Sequence, residues 1–204
     1  MGSIPIGFTK DKIMARTFFT SDTHFGHANI IKFCSRPFKD IDRMNEVLIN
    51  NWNARIKPDD FVIFVGDFVF RSSVHVTSYL KSLNGNKTMI CGNHDHNNGL
   101  NTKIYSLSLS TKDGNFFVVH DPRHINRDYN INFVGHVHEA WKIRKIKWLD
   151  TGEETVFINV GVDVWKFYPV ELRELVDYSR TAKSIEPENW SYQDWIKPYS
   201  KRVL

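Results

Sequence analysis

Along this chain, short runs of β-prone apolar residues stop repeatedly at polar clusters carrying Asp, Asn or His. Thr17–Thr20 stops at Ser21-Asp22, Phe61–Val65 at Gly66-Asp67, and residues 88–91 at Gly92-Asn93-His94-Asp95. Between these runs, residues 40–55 place Ile41, Met44, Val47, Leu48 and Trp52 at helical spacing behind Asp40, an expected N-cap. Residues 74–83 read as a second helix, ended by Asn84-Gly85-Asn86. Strands that are apolar throughout and joined by helices imply a parallel sheet covered on both faces. Trp52, Met44 and Phe61 are expected in its core.

The second half has a different texture. Residues 107–110, 116–120, 131–135, 141–148 and 155–160 are strand-like with few helical windows between them. Lys112-Asp113-Gly114-Asn115 and Thr151-Gly152-Glu153 read as hairpin turns. Residues 171–178 suit a short helix. Two packed sheets, one built mainly by each half, account for both textures.

Bulk properties narrow the class. A length of 204 residues suits one domain over 1–204, with a core about 17–165 and a polar, aromatic-containing tail about 170–204. With 41% apolar and 25% charged residues, neither disorder nor a fibrous repeat is expected. Two cysteines, Cys34 and Cys91, exclude a disulfide-dense scaffold. No apolar run approaches the roughly 18–20 residues that span a bilayer, and the first residues lack a long apolar signal core. A cytoplasmic setting without a membrane partner is therefore expected. The net charge of +4 permits an anionic substrate without demanding nucleic acid. Lys142, Arg144, Lys145 and Lys147 alternate roughly with apolar residues, which reads as a strand with one basic face, either solvated or facing substrate.

The metal-capable residues occupy the ends of five expected strands: Asp22 and His24, Asp67, Asn93 and His94, His120, and His136 and His138. Ligands gather beyond the carboxyl ends of strands in open α/β sheets. Asp22 and His24, two apart, point the same way if the strand end stays extended, and so do His136 and His138. His120 alone is as consistent with a core histidine as with a ligand. Together the residues are too many for one tetrahedral zinc and suit two ions sharing a carboxylate. Nitrogen and oxygen donors without cysteine favour manganese, with iron, nickel or zinc as alternatives. Two ions about 3.5–4 Å apart are a common device for hydrolysing phosphate esters.

Asp22-x-His24, Gly66-Asp67, Gly92-Asn93-His94-Asp95, His120 and Gly135-His136-x-His138 stand in the order found in calcineurin-like metallophosphoesterases, and the chain resembles that family from Phe18 to about Gly161. Ser21-Asp22-Thr23-His24-Phe25-Gly26-His27 and Asn159-Val160-Gly161-Val162-Asp163 resemble its compact, uncapped bacterial and phage members. The resemblance implies a four-layer α/β/β/α sandwich of two mixed sheets. It implies a first ion on Asp22, His24, Asp67 and His138, and a second on Asp67, Asn93, His120 and His136. A water or hydroxide activated by both ions would attack phosphorus in line. His94 would contact a phosphoryl oxygen and protonate the leaving group, with Asp95 behind its ring to orient it. Asp121 departs from the small, apolar or aromatic residue expected after His120.

Other candidates sit near these clusters. His27 and Asn29 either line the cleft or belong to a helix start. Arg36 either grips a phosphate oxygen bidentately or is a solvated turn residue. Arg123, with His124 and Arg127, would form a basic rim. The expected activity is a phosphodiesterase acting on a small phosphate ester or nucleotide, by a monomer or homodimer. The alternatives are a phosphomonoesterase, a small nuclease acting on nucleic acid, and a non-catalytic metal-binding scaffold for a partner protein.

Overall fold

The computed structural model describes residues 15–96 and 98–185. The tail aromatics Trp190, Tyr192 and Trp195 and the first residues lie outside the described residues. Chain order is β1 Thr17–Thr20, α1 Ala28–Phe33, α2 Ile41–Arg55, β2 Phe61–Val65, α3 Val76–Ser82, β3 Asn86–Ile90, β4 Ser106–Thr111, β5 Gly114–Val119, β6 Ile131–Val134, β7 Ile143–Lys147, β8 Glu154–Asn159, β9 Val170–Glu171, α4 Leu172–Ser179 and β10 Ser184–Ile185. The first sheet runs β3-β2-β1-β9 and the second β10-β7-β8-β6-β5-β4. Strands β1, β2 and β3 are parallel, as their apolar, helix-separated runs require. β9 adds antiparallel to β1 from late in the chain, which makes the first sheet mixed.

Helix α2 shows how local sequence sets an element. Asp40 caps it by accepting the Arg43 N–H, and Met44, Leu48 and Trp52 form its buried stripe. Ile56 follows in extended conformation, ahead of Pro58. The stripe packs with Phe18, Phe64 and Tyr79 on the outer face of the first sheet. Phe19, Val65, Phe116, Phe133 and Ile158 fill the space between the sheets. Phe133 lies 4.7 Å from the Phe19 ring and 5.1 Å from Phe116, so Phe133→Ala should cost about 3–5 kcal/mol through lost burial and a residual cavity. The result is an α/β/β/α sandwich of two mixed sheets flanked by helices.

Three sequence expectations change. Phe61 is 50% exposed, because it opens β2 at the end of the sheet remote from the core. Helix α1 was not assigned in the sequence; its six residues bury only Ile30, too little for a periodic signal. The basic residues around β7 form no single wet face. Lys142 Nζ lies 3.5 Å from the Trp165 ring centroid, Arg144 sits over Trp141, and Lys145 pairs with Glu154 at 2.6 Å.

Parallel pairing of β1, β2 and β3, and of β5, β6 and β8, aims the carboxyl ends of six strands toward one edge of the sandwich. There a parallel bridge between Ser21 and Gly161 joins the exits of β1 and β8 across the two sheets.

Candidate metal centre

Backbone conformation marks this edge. Asp22 (φ 58°), His24 (φ 49°), Asp67 (φ 60°), His136 (φ 70°) and His138 (φ 46°) all occupy the left-handed region. Residues with side chains rarely do so, and such strain gathers at functional sites. Both His-containing pairs therefore turn sharply, and the extended geometry expected from their spacing is not what aims them. His138 joins one cluster and His136 another.

Ligand-capable atoms of Asp22, His24 and His138 lie within 4.8 Å of one another, and so do those of Asp67, His120 and His136. Asn93 Oδ1 completes the second group, 3.1 Å from His120 Nε2 and 2.9 Å from His136 Nδ1. Asp67 stands between the groups, with Oδ2 3.5 Å from His24 Nε2 and 3.4 Å from His120 Nε2. The edge thus brings together all seven residues read as ligands.

The donors fit divalent ions. Both ring nitrogens of His24 are buried without a hydrogen-bond partner. Leaving such a group unsatisfied costs about 1–3 kcal/mol, which a bound cation would remove. His120 Nδ1 is 2.7 Å from the Val65 carbonyl, so it donates there and turns Nε2 toward Asp67. A Cβ on Gly66 would lie 2.3 Å from His120 Nδ1, and one on Gly92 2.2 Å from Asp67 Oδ1. Only glycine lets these loops close around the donors.

Charge is concentrated and buried here. Burial raises the Asp22 carboxyl above its usual range, against the pull of His138 and His120. Burial acts on Asp67 the same way, but His120, His24 and His94 outweigh it and hold its carboxyl well down. Burial pushes His24 far below the usual imidazole value. His120 rises to about 10, burial being overcome by Asp67 and Asp22, whereas burial and His120 bring His136 down to about 4. Carboxylates and imidazoles packed this densely compensate one another only in part, and this is the environment that cations neutralise.

The remaining candidates divide. The His94 side chain is 31% exposed, with Nε2 4.0 Å from Asp67 Oδ2 and its ring packed edgewise against Phe70 and His24. Asp95 does not orient it. Its Oδ2 accepts the N–H groups of Asp67 (2.7 Å) and Gly92 (2.8 Å), and its Oδ1 those of Phe68 (3.0 Å) and the Asn98 amide (2.8 Å). Four N–H donors saturate a carboxylate. Arg36 neither grips substrate nor meets solvent. It is 4% exposed and its N–H groups are spent on Asp163, Asp22 O, Thr23 O and Met44 Sδ. Asn29 is exposed in the first turn of α1, with no hydrogen bond to either cluster among the described residues. His27 packs 4.5 Å from the Phe70 ring and 5.5 Å from His24, and burial takes it down to about 4. Arg123 is ion-paired with Asp121, which also caps the turn Pro122–His124, and Arg127 pairs away from the edge with Asp150.

Two residues are given no role by the sequence, although Asp163 stands in one of the family-like phrases. Asp163 accepts from His138 Nδ1 at 2.9 Å. It follows the exit of β8 as the other clusters follow theirs, so the same signal pointed to it. Arg71, four residues beyond Asp67, lies over the Phe70 ring and lines a hollow of about 340 Å³ with His75, His94 and His96. A second hollow of about 290 Å³, sharing His96 with the first, is lined by Asn93, Tyr105, His120, Arg123 and His124.

Comparison with known proteins agrees with this geometry. The pattern of the calcineurin-like phosphoesterase superfamily domain matches residues 16–167. Uncharacterized protein MJ1445 of Methanocaldococcus jannaschii is 32% identical over 182 residues, 86% of this chain and 98% of the relative. Gene 66 protein of Mycobacterium phage L5 is 29% identical over 97 residues, 46% of each chain. Among solved structures, the protein of unknown function AQ665 from Aquifex aeolicus superposes with a TM-score of 0.61 at 24% identity, covering 81% of this chain and 100% of that one; this likeness concerns the fold alone.

Proposed function

The chain belongs to the calcineurin-like phosphoesterase superfamily, and on that premise we propose that it is a binuclear metal-dependent phosphodiesterase of the compact, uncapped bacterial and phage type. The observation that carries the reading is the position of Asp67 Oδ2, 3.5 Å from His24 Nε2 in one donor group and 3.4 Å from His120 Nε2 in the other. One carboxylate between two sets of nitrogen and oxygen donors suits a pair of divalent ions, manganese first and iron, nickel or zinc as alternatives.

Asp22, His24, Asp67 and His138 would hold one ion, and Asp67, Asn93, His120 and His136 the other. The pair supplies Lewis acidity at the phosphoryl oxygens and a water acidic enough to act as nucleophile near neutral pH. His94, partly exposed beside Asp67, would touch a phosphoryl oxygen and give its proton to the departing alkoxide. Arg71 adds positive charge at the rim and draws an anionic ester toward the edge. Asp95 fixes the loop that carries Asp67, so the donors need little reorganisation.

The diester preference is supported by two hollows that meet at His96, one lined by the donors Asn93 and His120 and the other by His94. They would leave room for more than one substituent on phosphorus. The same reading takes the chain as one domain, working as a monomer or homodimer in the cytoplasm on a small phosphate ester or nucleotide. Cys34 and Cys91 are free thiols, and no helix among the described residues is long and apolar enough to cross a membrane.

The test compares bis-p-nitrophenyl phosphate with the monoester under manganese, followed by a nucleic-acid panel. Faster diester turnover is expected. Equal or faster monoester turnover would remove the diester assignment. A folded protein carrying both ions that leaves every ester intact would remove the hydrolase.

A further inference from the structure

Behind the first donor group lies a buried chain of polar contacts to which the activity assigns no part. Arg36 grips Asp163 through Nε to Oδ1 at 2.8 Å and Nη2 to Oδ2 at 2.9 Å. The same guanidinium donates to the carbonyls of Asp22 at 2.7 Å and Thr23 at 3.0 Å. Asp163 Oδ2 in turn lies 2.9 Å from His138 Nδ1. The side chains of Arg36, Asp163 and His138 are all buried. Four separate pieces of chain therefore meet at one ion pair: the loop after α1, the exit of β1, the exit of β6 and the exit of β8.

The chemistry of the contact is one-sided. A carboxylate already bridged by a guanidinium accepts hydrogen bonds and donates none. Neutral His138 must then carry its proton on Nδ1, which makes Nε2 the nitrogen offered to an ion beside Asp22 and His24. An imidazole free to choose would spend part of its time as the other tautomer, with N–H facing the ion. Arg36 also fixes the height of Asp163, because the fork that holds the carboxylate holds the Asp22 and Thr23 carbonyls as well.

We propose that Asp163 and Arg36 are positioning residues that lock the His138 tautomer and so set metal affinity at the Asp22, His24 and His138 group, leaving the Asp67, Asn93, His120 and His136 group unaffected. The proposal rests on the binuclear reading above. It touches no substrate, so its test needs no turnover.

The variant is Asp163→Asn. Its amide loses one arm of the Arg36 fork whichever way it lies, and with the N–H on the Oδ2 side it opposes both Arg36 Nη2 and a proton on His138 Nδ1, so the hold on the Nδ1–H form is lost. The first readout is the ¹⁵N spectrum of histidine-labelled full-length protein freed of metal, recorded at a pH at which His138 is neutral. Wild type should show His138 protonated on Nδ1, and Asp163→Asn should show a mixture with the Nε2–H form. The second readout is calorimetric titration of both proteins with MnCl₂. One of the two binding steps should weaken by about 10–100-fold and the other should hold. Arg36→Lys, which keeps the charge but loses the fork, should weaken the same step. If Asp163→Asn does not fold, the wild-type tautomer and the Arg36→Lys titration decide. A wild-type His138 carrying its proton on Nε2 overturns the proposal, and so does equal weakening of both steps or of neither. Failure of wild type to hydrolyse esters would sink the phosphodiesterase and leave this tautomer intact.

Discussion

The carboxylate of Asp95 accepts the backbone N–H of Asp67 at 2.7 Å, across 28 residues of sequence. Through this contact, and those to Phe68 and Gly92, the exit of β3 holds the exit of β2 in its left-handed turn. Each oxygen takes two donors, so Asp95→Asn turns an amide NH₂ toward two N–H groups that had an acceptor. We expect a loss of about 2–4 kcal/mol, from these opposed and stranded N–H groups. Urea unfolding measures it, and metal content should fall in parallel. A stable variant with a shifted acid limb in its rate profile would instead show that Asp95 acts on His94.

His94→Asn separates chemistry from metal binding. The ring borders the donors without joining either group of three. Turnover on an ester with a poor leaving group should drop about 10²–10⁴-fold, the usual worth of a positioned acid. Bound manganese, counted by mass spectrometry, should stay the same. Parallel loss of metal would make His94 a ligand.

Gly92→Ala tests the closeness of the loops. The added Cβ would lie 2.2 Å from Asp67 Oδ1 and 2.4 Å from its backbone N, and backbone cannot swing aside. Overpacking of about 1–3 kcal/mol is expected, together with loss of bound metal as Asp67 is displaced. Gly152→Ala meets nothing within 4 Å but sits at φ 72°, so it is the control for backbone strain alone and should keep its metal.

Asp60 provides a pH prediction away from the metals. It accepts from the Arg16 and Lys57 N–H groups and pairs with the Arg16 guanidinium at 2.8 Å. Burial works to raise its carboxyl, and these bonds more than offset that, leaving it below the usual value. A carboxyl depressed in the fold contributes fully above its unfolded value of about 3.9 and loses that contribution as pH falls toward the folded value. Asp60→Asn should therefore cost about 1–3 kcal/mol at pH 7. The gap between variant and wild type should narrow as the pH is taken from about 5 to about 3. A gap independent of pH in thermal melts would show that charge plays no part.

Local sequence carried the two packed sheets and the polar clusters at the strand ends. Alternation, helical spacing at Met44, Leu48 and Trp52, and the Asp or His that follows each apolar run are properties of neighbouring residues, and parallel strands leave their exits at one edge. The partition of the donors was a tertiary matter. His136 and His138 are two residues apart yet serve different groups, because positive φ at both turns the chain between them. Asp95 and Arg36 looked equally suited to substrate chemistry. Their donors and acceptors are consumed by groups remote in the chain, Arg36 by Asp163 at a separation of 127 residues. A side chain's type states what it can bond to; burial and the partners that the fold delivers decide which of those bonds remain free for function.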